Sequence, residues 1–215
     1  MATSLKNKKQ IDCEDDFTEV ANDILNNSVL NIKGKKFRIL EVEFYLFKDD
    51  FQDYYTHRDS IQLEYGKIYF HKINGRSYKS GTFKCMDFVF GDKKINKYCG
   101  MLIRAMLDLE KNEAIVGPCK CVEKLLSEFS CNNVKELENK KEFLIDLRKD
   151  SDIKLRTKTF DKEELYIGPR IGLGDKYPNW KDKLYRFVIM KQYVKKENFC
   201  QIQIKNYFFY FLLYL

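Results

Sequence analysis

Residues 37–47 read FRILEVEFYLF, and their period decides the fold. Leu40, Val42, Phe44 and Leu46 fall on one side of an extended chain while Glu41, Glu43 and Tyr45 fall on the other, as in a strand whose successive side chains alternate between faces. One strand therefore offers an apolar face for a core and a second face with two carboxylates and a phenol. Residues 99–109, CGMLIRAMLDL, form an almost unbroken apolar run interrupted at Arg104. That pattern belongs to a strand covered on both sides, and so to the centre of a sheet. Residues 67–73 and 82–90 read as further strands. Between them Asn74-Gly75 supplies the positive-φ pair that tight hairpins need, although the connection to Ser80 is longer than two residues. A Gly-Pro turn at 168–169 and a glycine-rich loop precede residues 184–192, which alternate like a closing strand.

Two helices flank this pattern. Asp15 or Asp16 is placed to cap a helix whose apolar positions Phe17, Val20, Ala21, Ile24 and Leu25 repeat at helical spacing. Gly117-Pro118 opens a second, with Val122, Leu125, Leu126 and Phe129 on one face. Residues 130–165 are charged and only weakly periodic, and no internal repeat or second domain is visible.

The chain has 215 residues, 44% of them hydrophobic and 33% charged, enough for one domain with a real core. Lys+Arg 39 against Asp+Glu 32 leaves a net charge of +7, which permits a polyanionic partner without requiring one. Seven cysteines are an odd number and no basic-then-apolar leader opens the chain, so a reducing, intracellular setting is expected, nuclear in a eukaryote. Residues 1–16 read as a flexible polar leader, 17–195 as the folded domain and 196–215 as an apolar tail. Within that tail NYFFYFLLYL, residues 206–215, is half the roughly 20 residues a membrane helix needs. An edge strand or a docked helix remains open for it.

Several side chains are placed for chemistry. Arg104 inside a buried strand needs an anionic partner, and Asp87, in FKCMDFVF, is in the same predicament; they could form a purely structural pair or belong to a site. Glu43 would have a raised pKa suited to a general base if its face lines a pocket, and would be a surface carboxylate if that face meets solvent. The two histidines, His57 and His71, make no triad. Cys119, Cys121 and Cys131 lack the paired spacing of a structural zinc site, and Gly172-Leu-Gly174 reads as a tight turn rather than a nucleotide fingerprint.

Seven short runs follow one another in a recognisable order: RILEVEFYL at 38–46, His57, GKIYFH at 66–71, GTFKCMD at 81–87, GMLIRAM at 100–106, GPCK at 117–120 and PRIGLG at 169–174, with Arg186-Phe187 after them. This order resembles the 3-methyladenine (alkyladenine) DNA glycosylase family over roughly residues 38–190. The resemblance implies a single compact α+β domain with a curved, mostly antiparallel sheet and packed helices. It implies an activity in base-excision repair: flipping a damaged purine out of double-stranded DNA and hydrolysing its N-glycosidic bond, with no metal or diffusible cofactor and no membrane, as a monomer. Glu43 is then similar to the family's general base, Arg104 to the Arg supporting the flipped nucleotide and the attacking water, and Tyr45 and His57 to pocket residues that contact the extruded base.

The chain also departs from the family. His71 stands where the family has a second stacking tyrosine, and Asp87 where it has an Asn that guards against normal guanine, so the resemblance does not carry the family's substrate choice over, and the two changes leave both redirected and lost activity open. RDSIQLEYG at 58–66 replaces the family's Thr-Pro-Arg-Asn run, and the hairpin that carries the DNA-wedging residue is longer, leaving Tyr78 or Arg76 as the wedge. The alternatives to an enzyme are a catalytically diverged nucleic-acid-binding module of the same fold, and a protein-binding role for the apolar tail.

Overall fold

The alternating stretch around Glu43 becomes β2 (Lys35–Lys48), and its ten residues from Phe37 to Leu46 are all buried because other elements cover both faces. The structure is a computed structural model that describes residues 11–140, 147, 151–194 and 199–202. On one face of β2, Phe44 stacks on Phe17 of α1 (Asp15–Asn27), with ring centroids 4.7 Å apart and planes 5° from parallel. Tyr185 meets Phe17 edge-on at 4.9 Å. The stripe Phe17, Val20, Ala21, Ile24 and Leu25 is buried, as its spacing requires.

The start of α1 differs from expectation. Neither Asp15 nor Asp16 occupies the cap position, which falls to Glu14 without a side-chain hydrogen bond. Asp16 Oδ2 instead reaches back to accept from the amides of Asp12 (2.8 Å) and Cys13 (3.1 Å). The chain ahead of the helix is thereby tied down. Ile11, inside the expected leader, is fully buried, and the buried Lys97 ammonium donates to the Ile11 carbonyl and the Asp12 carboxylate, each at 2.9 Å.

Around β2 a curled antiparallel sheet runs in the order β13 (Cys200–Ile202), β11 (Leu165–Gly168), β12 (Arg186–Val188), β2, β8 (Tyr98–Asp108), β7 (Met86–Val89) and β4 (Ile68–Phe70). Strand β8 lies between β2 and β7, as its apolar run foretells, and β9 (Glu113–Val116) returns beside it. At the other end of β2, β1 (Ser28–Ile32) pairs with both β2 and β10 (Ile153–Thr157). Helix α2 (Pro118–Glu128) opens at Gly117-Pro118 and buries Val122, Leu125 and Leu126. The weakly periodic 130–165 region contributes α3 (Val134–Glu138) and β10. The result is one α+β domain with helices packed on the sheet. Among the described residues no helix is long and apolar enough to cross a membrane, and the stretch 206–215 lies outside them.

The strand expected over 67–73 is two pieces. Phe70 still pairs with Met86 of β7, but Lys72 in β5 (Lys72–Ile73) pairs with Tyr78 in β6 (Ser77–Tyr78), so His71 is the point where the chain leaves the main sheet for a separate hairpin. Asn74 (φ +50°) and Gly75 (φ +69°) make its turn, with the Arg76 amide donating to the Ile73 carbonyl at 3.0 Å. The strand expected over 82–90 begins only at Met86, because Gly81–Phe83 coil into a 3-10 turn.

Phe17→Ala removes the ring that joins α1 to Phe44 and Tyr185. It should lower unfolding stability by about 3–5 kcal/mol in urea titration, the range for deleting a buried aromatic; a loss below about 1 kcal/mol would show that α1 does not depend on this contact.

Candidate active site

The sheet register assembles the polar face. Arg186 pairs with Glu43, Glu43 with Leu102, Leu102 with Asp87 and Asp87 with Tyr69, a row running across β12, β2, β8, β7 and β4. Directly paired residues share a face, so the row lies opposite the Phe44 side that α1 covers. Tyr45 pairs with Gly100, where a Cβ would sit 2.5 Å from Asp87 Oδ2. Glycine at this position is what admits the Asp87 carboxylate beneath the phenol.

Glu43 has no solvent exposure, so the surface-carboxylate alternative does not hold. Its Oε1 accepts from the Ile171 amide at 2.8 Å and lies 3.2 Å from Arg104 Nη1, and its Oε2 accepts from the Tyr45 hydroxyl at 2.9 Å. Three of about four acceptor positions of a carboxylate are thereby used. Arg104 shares this side because it lies two residues beyond Leu102, at an irregularity in the β2–β8 pairing where Leu40 and Arg104 are both left without a direct partner. Its Nε donates to Glu41 Oε1 at 2.9 Å, and Arg186 Nε donates to the same oxygen at 2.6 Å. Two carboxylates and two guanidiniums thus compensate one another inside the sheet, as buried charges require. Burial raises the Glu43 pKa above the ordinary carboxylate range, while the Arg104 cation, the Ile171 amide and the Tyr45 hydroxyl pull it back down.

Arg170 explains how the Ile171 amide arrives. Its guanidinium is fully buried in an ion pair with Asp53, donates to the carbonyls of Phe44 (3.0 Å) and Trp180 (2.9 Å), and lies 4.6 Å from the centre of the Tyr45 ring. The 169–174 loop is therefore pinned against β2.

The rest of the face centres on Asp87, and it does not pair with Arg104. Asp87 stands opposite Leu102, while Arg104 leans toward β2, so each finds another partner. Asp87 Oδ1 lies 2.7 Å from His71 Nε2, and Oδ2 accepts from Gln62 Nε2 at 3.2 Å. Burial alone would push His71 down, but Asp87 overrides it and raises the imidazole to about 9. His57 packs 4.4 Å from His71, centre to centre, with Nδ1 3.0 Å from the Tyr69 hydroxyl. Desolvation of its inner side, then the His71 cation, lowers His57 to about 4. Tyr69 stacks loosely on His71 at 5.4 Å. Beside these rings opens a cavity of about 440 Å³, walled by His57 and Tyr69 and by residues of the β5–β6 hairpin. His71 lies behind the wall.

Of the two wedge residues, Tyr78 turns inward, half-buried, with its hydroxyl bonded to Glu138, whereas Arg76 is exposed at the hairpin turn. The structure thus gathers Glu43, Tyr45 and Arg104 into one cluster and His57, His71 and Asp87 into a neighbouring one. Glu41, Gln62, Asp53 and Arg170 complete them without having been singled out. Glu41 shares the Glu43 face two residues away, which was the available signal; Gln62 sits in a single 3-10 turn, Ser60–Leu63, and Asp53 in a loop, and neither stretch is long enough to show a period. Among the described residues no group of His, Cys, Asp and Glu side chains could hold a metal ion.

This fold and site define an α+β protein built around a buried acid–base cluster. No protein-family model matches the chain. It is 40% identical over 195 residues to an uncharacterized protein of Acanthamoeba polyphaga mimivirus, which covers 85% of this chain and 90% of the viral protein. The chain belongs to one family with that viral protein.

Because the folded-state value of His71 (about 9) lies above its ordinary 6.5, protonation contributes stability that is complete below about pH 6.5 and is lost as the pH rises through about 9. The urea midpoint of the wild type should therefore fall across that interval more than that of His71→Gln. Parallel profiles would show that the Asp87 pair does not hold the proton.

Proposed function

We propose that the protein is a DNA glycosylase that flips damaged purines, alkylated or deaminated, out of the duplex and hydrolyses their N-glycosidic bond. The observation that carries this reading is the meeting of Glu43, Tyr45 and Arg104 on one sheet face, from runs whose order resembles the alkyladenine glycosylases; the cavity opens at the neighbouring His57 cluster and Glu43 does not line it. The net charge of +7 suits a phosphate backbone.

In this reading Glu43 takes a proton from a water as its oxygen bonds to the sugar carbon; the carbon–nitrogen bond breaks, and the base leaves with the bonding electrons and is protonated. Burial makes the carboxylate more basic than an exposed one, and its negative charge stabilises the oxocarbenium character of the transition state. Arg104 holds the carboxylate in place, and Tyr45 orients its second oxygen. Flipping costs a few kcal/mol and damaged bases resist it less, which favours lesions over normal pairs.

A second reading, a binding module of the same fold without chemistry, is favoured by the complete burial of Glu43. Release of free base from duplexes carrying hypoxanthine, ethenoadenine or 3-methyladenine separates the two. Wild type should release base, and Glu43→Gln should be slower by at least about 100-fold, the lower bound for losing a general base. The amide can keep its oxygen on the Ile171 amide and Arg104 and donate to the Tyr45 oxygen, so the fold and DNA affinity should persist. Undiminished release by Glu43→Gln would remove Glu43 from the mechanism. No release by wild type, with duplex binding that weakens steeply with salt, would leave the binding module.

A further inference from the structure

The cavity beside the histidines carries more positive than negative charge on its walls. Arg58, Lys72 and Lys79 line it, with Asp59 as the one carboxylate. That carboxylate is committed: Oδ2 accepts from Lys72 at 2.9 Å and Oδ1 from the Ile61 amide at 3.1 Å. Lys72 is thereby neutralised, whereas among the described residues Arg58 and Lys79 have no ion-pair partner. The Arg58 guanidinium is held on the wall over the Phe47 ring, 4.7 Å from its centre. Its backbone sits at φ +56°, a left-handed conformation that strains a residue with a side chain and that the surroundings must enforce. The volume of about 440 Å³ falls in the range of small-ligand sites, about 300–1,000 Å³, and suits a purine with its sugar.

Guanidinium and ammonium groups only donate hydrogen bonds, so a ligand here must bring acceptors. Two uncompensated positive charges also repel a cation, the more so once water is displaced. We propose that this cavity receives neutral or anionic, oxygen-bearing purines such as hypoxanthine or xanthine and rejects purines made cationic by alkylation, with Arg58 and Lys79 as the specificity-determining donors. The inference rests on the glycosylase reading for its substrate class, but the selectivity is a binding property that needs no bond cleavage.

Calorimetric titration of the full chain at pH 7 with inosine 5′-monophosphate and with 1-methyladenosine 5′-monophosphate, whose base is a cation at that pH, tests it. Both carry the same phosphate, so only the base differs. The inosine nucleotide should bind at least about tenfold more tightly, the scale of one screened charge contact, and a variant combining Arg58→Gln and Lys79→Gln should lose that preference. Equal or tighter binding of the methylated nucleotide, no saturable binding of either, or an unchanged preference in the double variant would overturn the proposal. Base release from duplexes separates the two levels. Preference for inosine monophosphate without release from any duplex would remove the glycosylase reading and keep the cavity's selectivity, while faster release of 3-methyladenine than of hypoxanthine would remove the selectivity and keep the glycosylase.

Discussion

The structure depends on the mutual neutralisation of Glu41, Glu43, Arg104 and Arg186 inside a sheet covered on both faces. An isolated buried charge would be prohibitive, and each of these four reaches an opposite charge within 3.2 Å. Removing any one would leave a partner uncompensated, which commonly costs more than the pair contributes. The cluster therefore constrains which strands lie side by side. β12 must pair with β2 to bring Arg186 to Glu41, and β8 must lie on the other side of β2 to bring Arg104 to both carboxylates.

A second constraint acts through small residues and committed donors. Gly100 leaves the space that Asp87 fills, Asp87 holds His71 in the charged form, and burial together with the His71 charge keeps His57 neutral. Arg170 does comparable work at the other end, where its fan of donors joins Asp53, Phe44 and Trp180 and leaves the next amide aimed at Glu43. A lysine could not substitute, because one ammonium cannot span those directions. The two clusters are thus positioned from opposite edges of the same strand face.

Much of this was legible in the sequence because burial writes itself into period. The alternation of 37–47, the stripe of α1 and the apolar run around Arg104 each named the correct element and its buried side. Pairing was less legible. That Asp87 meets His71 rather than Arg104 follows from the β7–β8 register, which sets Asp87 opposite Leu102, and no local pattern encodes that register. The split of 67–73 at His71 has the same origin, since Lys72 and Phe70 have similar propensities but different partners. Polarity misled at the N-terminus, where a single isoleucine among charged residues proved to be core. Gln62, Asp53 and the Ile171 amide were invisible because residues of loops and single turns acquire roles only from what the fold carries to them.

The hydrogen bond between Glu41 and Arg186 joins residues 145 apart. During synthesis at about 5–20 residues per second, β2 emerges roughly 7–30 s before the guanidinium that completes its charge balance. For that interval the nascent chain holds a long strand with one apolar face together with two carboxylates only part of whose partners exist. Those carboxylates resist premature burial and keep the strand hydrated, so the polar face delays closure of the sheet as well as fixing its neighbours. The domain can close only when nearly all of it has left the ribosome.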